Sequence, residues 1–185
     1  MKQFIYGVIL YVFLMMPPVI ELTESIMSIH MHMQMPFLAI VGLLMYPQFK
    51  KWFPTFFHKW NENGIPGMLL FFIIVIYWLF PRTMDEALMN TSVEIFKFIS
   101  WPFLVGIPLR DSWSKLTDRG KTISLSLISG LYFLMGFIYI FIDEQLCNNY
   151  LLVEQIALGW GFLIIAISLT VYVLQATFID YSQYE

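Results

Sequence analysis

A chain of 185 residues that is 59% hydrophobic and 18% aromatic but only 12% charged departs from a soluble domain, in which about a quarter of the residues carry charge. Its mean hydropathy of +0.72 excludes an ordinary water-soluble globule, and its formal net charge of -3 comes with no basic stripe or motif for nucleic acid. The single cysteine, Cys147, excludes an internal disulfide.

Apolar runs of roughly 20 residues recur along the chain, and backbone polar groups in hydrocarbon must be satisfied within each segment, so the sequence predicts helices. The short alternating segments of a membrane β-barrel are absent. In chain order the expected spans cover residues 4–20, 26–46, 65–80, 93–109, 123–142 and 151–176. The reading is an all-α polytopic bundle of about six transmembrane helices, a single integral membrane domain over residues 1–185, multi-pass in the cell membrane. Pro17 and Pro18 are expected to bend the end of the first span. That span begins after Lys2 like a signal peptide, but Met15, Met16, Pro17 and Pro18 stand where small cleavage-site residues belong, so it reads as retained. The fourth span is interrupted by Lys97, Pro102 and Pro108, whereas the fifth and sixth read cleanly. No internal repeat, low-complexity tract or long polar linker divides the chain.

Basic residues sort between the connections. Lys2, then Lys50, Lys51 and Lys59, then Arg110, Lys115, Arg119 and Lys121 fall on alternate ends. The remaining ends carry Glu21 and Glu24, then Arg82, Asp85 and Glu86, then Asp143 and Glu144. By the positive-inside rule both termini are expected to be cytoplasmic and the acidic clusters to face outward.

The stretch from Glu21 to Pro36 concentrates His30, His32, Met27, Met31, Met33, Met35, Glu21 and Glu24 at the outer start of the second span. Imidazole and thioether together suit copper, which makes this a candidate metal site. Helical spacing limits it, because residues three or four apart share a face and residues two apart do not. Met27, His30, Met31 and Gln34 form one face with Glu24 a turn above, while His32 and Met35 belong to another. At about 1.5 Å per residue, His30 is expected roughly 9 Å below Glu24. Further ligands must come from other helices, and Glu154, with Asp85 and Gln155, is available. An intramembrane histidine more often marks a site or a watery cavity than bland packing. His32 and the individual methionines read as packing.

Glu94 and Lys97, three apart, read as a snorkelling lysine with its counter-ion. Glu154 and Gln155 either line the pocket of His30 or form an ordinary polar helix start. No phosphate loop, nucleophile elbow, Cys-x-x-Cys or His-Glu-x-x-His is present, so a non-catalytic role is expected. The histidines are too few and badly spaced for a two-haem cytochrome b.

Three stretches together carry a resemblance. Glu24-Ser25, His30-Met31, Gln34 and Pro36 resemble the outer-face helix of cytochrome c oxidase assembly factors of the CtaG type, and of small related archaeal membrane proteins of unknown function. Tyr77-Trp78-Leu79-Phe80-Pro81 followed by Asp85-Glu86-Ala87 is similar to that family's Trp-x-x-Pro and Asp-x-Ala segment. Leu146-Cys147 through Tyr150, Glu154-Gln155 and Gly159 resembles its Asp-Gln helix start. The chain departs from the family in having Gln34 where a second histidine is common, and Glu154-Gln155 for the Asp-Gln pair. The resemblance implies an accessory or assembly protein for a copper-containing membrane oxidoreductase, handling copper at the outer face. A permanent small subunit of a respiratory oxidase or of a copper monooxygenase, such as an ammonia or methane monooxygenase, is the alternative. A transporter or haem-binding enzyme is a third reading. The partners expected are membrane lipid and the oxidoreductase subunits, and the cofactor, if any, is copper.

Overall fold

A computed structural model describes residues 1–178, and among these the chain is all-α. The helices are α1 (Lys2–Leu14), α2 (Pro17–Glu24), α3 (Met27–Trp52), α4 (Pro54–Trp60), α5 (Ile65–Leu79), α6 (Pro81–Met89), α7 (Thr91–Trp113), α8 (Asp118–Phe141) and α9 (Leu152–Phe178). Four of them, α3, α7, α8 and α9, are each long and apolar enough to cross a membrane. The total rises to six if the bent pairs α1–α2 and α4–α5 each make one span.

The helix ends follow from local chemistry. Proline opens α2 and α4 to α6 at the first or second position, where its missing N–H would have no partner anyway. Asn90 caps α7 by accepting from the Ser92 amide at 2.9 Å, and Thr117 caps α8 by accepting from that of Gly120 at 3.2 Å. The bend expected at Pro17-Pro18 is a break of 72° between α1 and α2. The sequence reading missed α4 and α6, whose polar residues interrupt the apolar pattern. It also ended the second and fourth spans early, because α3 and α7 run on to Trp52 and Trp113.

Interior prolines shape the long helices. A proline withdraws the N–H that would bond the carbonyl four residues back, and in an apolar environment that carbonyl needs another donor. Pro102 frees the Phe98 carbonyl, which accepts from the Tyr11 hydroxyl of α1 at 3.0 Å. Pro47 frees the Leu43 carbonyl, which accepts from the Arg110 guanidinium of α7. Each defect in one helix thus anchors another. α3 widens into a π-turn at His30–Gln34 and α7 at Trp101–Gly106. The second lies where α3 and α7 cross backbone to backbone, since a side chain at Gly42 would run into the Pro102 carbonyl and one at Gly106 into that of Ala39.

α3 packs between α1 and α7, α5 packs on α7, and α8 pairs closely with α9. The α8–α9 hairpin joins the rest chiefly where α9 meets the start of α3. One core holds Met27, Met31, Met35, Trp78, Met84, Tyr139 and Phe162, while Ile123, Leu134, Trp160 and Ile164 point outward. Contacts also sort the two ends. Gln3 meets Arg110, and Lys115 bonds the carbonyls of Phe57 and Asn61. At the opposite end Glu24 meets Lys97 and Asp85 meets Asn148 and Asn149.

Candidate functional site

The break between α2 and α3, the π-turn of α3, the first turns of α7 and the loop before α9 converge on His30 at the acidic end. His30, Gln34 and Lys97 are completely buried, as is Met27, and Met31 nearly so. The face expected from helical spacing, Met27, His30, Met31 and Gln34 below Glu24, is therefore the inward one. One detail differs from the expectation: Met35, expected on another face, is 2% exposed and joins the core of Met27 and Met31. Met35 lies four residues beyond Met31, the spacing at which helical side chains share a face. His32 packs edge-on to Phe162 at 4.7 Å, and its ring fills the space beside Gly161.

Lys97 overturns the expectation of a snorkelling side chain. It turns inward to form an ion pair with Glu24 of α2, not with Glu94. Its ammonium also lies 3.3 Å from His30 Nε2. An ammonium only donates, so Nε2 must accept and the proton resides on Nδ1. Nδ1–H then donates to the Tyr150 hydroxyl oxygen at 2.9 Å, and that hydroxyl donates to the Glu24 backbone carbonyl at 2.8 Å. The network closes on itself. The Gln34 amide donates to Thr23 Oγ1 at 2.9 Å and to Glu24 Oε1 at 3.2 Å. Its own carbonyl oxygen is buried without a partner, because flipping the amide would set two oxygens against each other.

The side chains that bond His30 come from α7 and the loop before α9, and Glu154, Asp85 and Gln155, named from the sequence as available, are not among them. Glu154 does not join them: it bonds the Leu151 amide at 2.9 Å and closes the first turn of its own helix. Gln155 accepts from the Leu146 amide at 2.8 Å and donates to the Ile142 and Glu144 carbonyls, tying the α8–α9 connection. Asp85 accepts from the Asn148 and Asn149 side chains, each at 2.8 Å, and from the Asn149 amide at 3.1 Å. Burial works against ionising Asp85, but these donors outweigh it and hold its carboxyl below the usual range. Beside it, burial and the Asp85 charge push the Cys147 thiol up to about 12, which makes it a poor nucleophile at neutral pH.

As arranged, these residues do not present a preformed copper site. Both imidazole nitrogens are bonded, Lys97 sets a cation against the nitrogen a metal would take, and Gln34 turns its amide N–H groups toward Glu24. Among the described residues no three His, Cys, Asp or Glu side chains gather at metal-binding spacing. What the arrangement does is neutralise a fully buried cation and fasten three segments to α3.

A second polar centre lies at the basic end, and the sequence reading missed it by treating residues 110–121 as a loop. Asp111 of α7 is fully buried. It accepts from the Tyr46 hydroxyl at 2.6 Å, the Asn61 amide at 2.6 Å and Lys115 at 2.7 Å. Asn61 in turn accepts from the Gly67 amide at 2.9 Å. The sequence signal was Asp111 and Lys115, four apart on one helical face.

Compared with known family models, curated proteins and solved structures, the chain matches none.

Proposed function

We propose that the chain is a non-catalytic accessory protein of a larger membrane assembly, with the outer polar centre acting as a lock that holds α2, α7 and the α8–α9 loop against α3. The observation behind this reading is the closure of the network: Lys97, Glu24, His30 and Tyr150 satisfy one another and offer no open reactive face. Desolvation offsets much of the Coulomb gain of a buried ion pair, and in this reading the pair serves to fix the arrangement of the helices. The basic end is cytoplasmic in this reading and the His30 centre faces outward, since Lys50, Lys51, Lys59, Arg110, Lys115, Arg119 and Lys121 all lie at one end.

The resemblance carries the identity of the assembly, a copper-containing membrane oxidoreductase. Between the two roles it leaves open, the closed network favours a permanent small subunit over copper handling. Handling copper at His30 would require Lys97 to release Nε2, with Met27 and Met31 as thioether neighbours.

Purification from native membranes with mass spectrometry of partners tests the role, and stoichiometric oxidoreductase subunits are the expected result. Isolation of the chain alone, folded and in good yield, overturns it. Copper content of the purified protein separates the two forms. If copper is handled, His30→Ala lowers retention strongly and His32→Ala does not, whereas equal retention in folded variants supports the structural role.

A further inference from the structure

The lower ends of α3, α5 and α7 on one side and α8 on the other do not close on each other. Between them lies a cavity of about 770 Å³, walled by Leu43, Phe71, Leu109, Leu125 and Ile128 and rimmed by Lys50, Arg110 and Tyr46. Leu43, Phe71 and Ile128 also line a second cavity of about 230 Å³ that reaches up to Met31 and Met35. The two therefore form one apolar crevice, running from the basic end toward the underside of the His30 centre.

Charge at its mouth is unbalanced. Asp111 does not line the crevice but is the carboxylate paired with Lys50, and Lys115 already matches its charge at 2.7 Å. Lys50 stands off from Asp111 at 3.9 Å with half its side chain exposed. Arg110 bonds the Leu43 carbonyl and, at 3.3 Å, Gln3 Oε1, both neutral acceptors. Both cations lie over the Tyr46 ring, Lys50 at 5.5 Å and Arg110 at 5.8 Å from its centre. Two cations beside an apolar crevice at the basic end of the long apolar helices complement an amphiphile with an anionic head.

We infer that this crevice is a binding site for an anionic phospholipid, its phosphate held by Lys50 and Arg110 and an acyl chain seated between α3, α5, α7 and α8. Arg110 contributes guanidinium donors beyond those it spends on Leu43 and Gln3. Lys50 supplies a mobile point charge. The lipid completes the packing that the splayed α8–α9 hairpin leaves open at this end.

Native mass spectrometry of the purified full-length protein in detergent, titrated with phosphatidylglycerol or phosphatidylcholine, tests the assignment. Phosphatidylglycerol is expected to be retained and to raise the unfolding temperature, with phosphatidylcholine weaker by about tenfold. Lys50→Glu leaves the Arg110 bond to Leu43 intact and should lower phosphatidylglycerol retention by about tenfold or more, through loss of one attraction and gain of one repulsion. Leu125→Trp fills the crevice without touching the charges and should lower retention as well. Lys59→Gln, at the same end but away from the crevice, should leave it unchanged. Equal retention of the two lipids, or equal retention by the wild type and both crevice variants, overturns the inference. Displacement of the lipid by millimolar inorganic phosphate also overturns it, in favour of a site for a free anion.

Discussion

The two polar centres stand at opposite ends of one bundle and solve opposite problems. At the acidic end a cation, Lys97, is fully buried and has one ion-paired carboxylate, Glu24, with His30 and the Phe98 ring as further contacts. At the basic end an anion, Asp111, is fully buried but takes donors from Tyr46, Asn61 and Lys115, with Lys50 beyond. Removing the one directly paired counter-ion strands a charge in a low-dielectric interior, whereas removing one of several bonded donors leaves the rest in place. The first centre is therefore brittle and the second tolerant.

The largest expected effect tests that contrast directly. Glu24→Gln leaves the Lys97 ammonium buried without its ion-paired carboxylate and should cost roughly 3–5 kcal/mol in detergent unfolding. Adding Lys97→Met should restore most of the loss, because the buried charge disappears with its partner. If the double variant is no more stable than the single one, Lys97 is not the stranded group and the contrast fails.

Next comes the basic end. Asp111→Asn keeps an acceptor for Tyr46 and an amide for its neighbours, while Lys115, 20% exposed, retains the Phe57 and Asn61 carbonyls. The cost should be about 1–3 kcal/mol. A loss as large as that of Glu24→Gln would erase the distinction between the centres.

A smaller effect probes the proline-freed carbonyls between the two ends. Tyr11→Phe deprives the Phe98 carbonyl of its donor and should cost about 1 kcal/mol. In a Pro102→Ala background the restored N–H takes over that role, so the Tyr11 substitution should then be nearly silent. Full additivity of the two changes would remove the compensation argument.

The smallest expected effect sharpens the picture at the outer rim. Because the folded Asp85 carboxyl titrates below its unfolded value of about 3.9, its contribution is complete above that value. It disappears as pH falls through the lower, folded one. Hydrogen exchange at the Asn149 amide, which donates to Asp85, should lose protection in that acidic window. Asp85→Asn should abolish the pH dependence, and a wild-type profile that is flat into strong acid would break the assignment.

Composition and run length were enough to determine the all-α membrane class and the approximate spans, since a long apolar segment can satisfy its backbone in hydrocarbon only as a helix. Charge sorting along the chain likewise foretold which connections share an end, and the spacing of Met27, His30, Met31 and Gln34 foretold the inward face of α3. Tertiary structure alone decided the partners. Lys97 meets Glu24 across 73 residues and Tyr150 meets His30 across 120, separations on which local spacing is silent. Glu94, three residues from Lys97, was the nearer candidate in sequence, yet the helix carries Lys97 inward to a carboxylate on a different segment. The role of Arg110 likewise depends on a carbonyl freed by Pro47. A proline in the sequence announces that a carbonyl four residues earlier has lost its donor, but only the packing of another helix determines which side chain supplies the replacement.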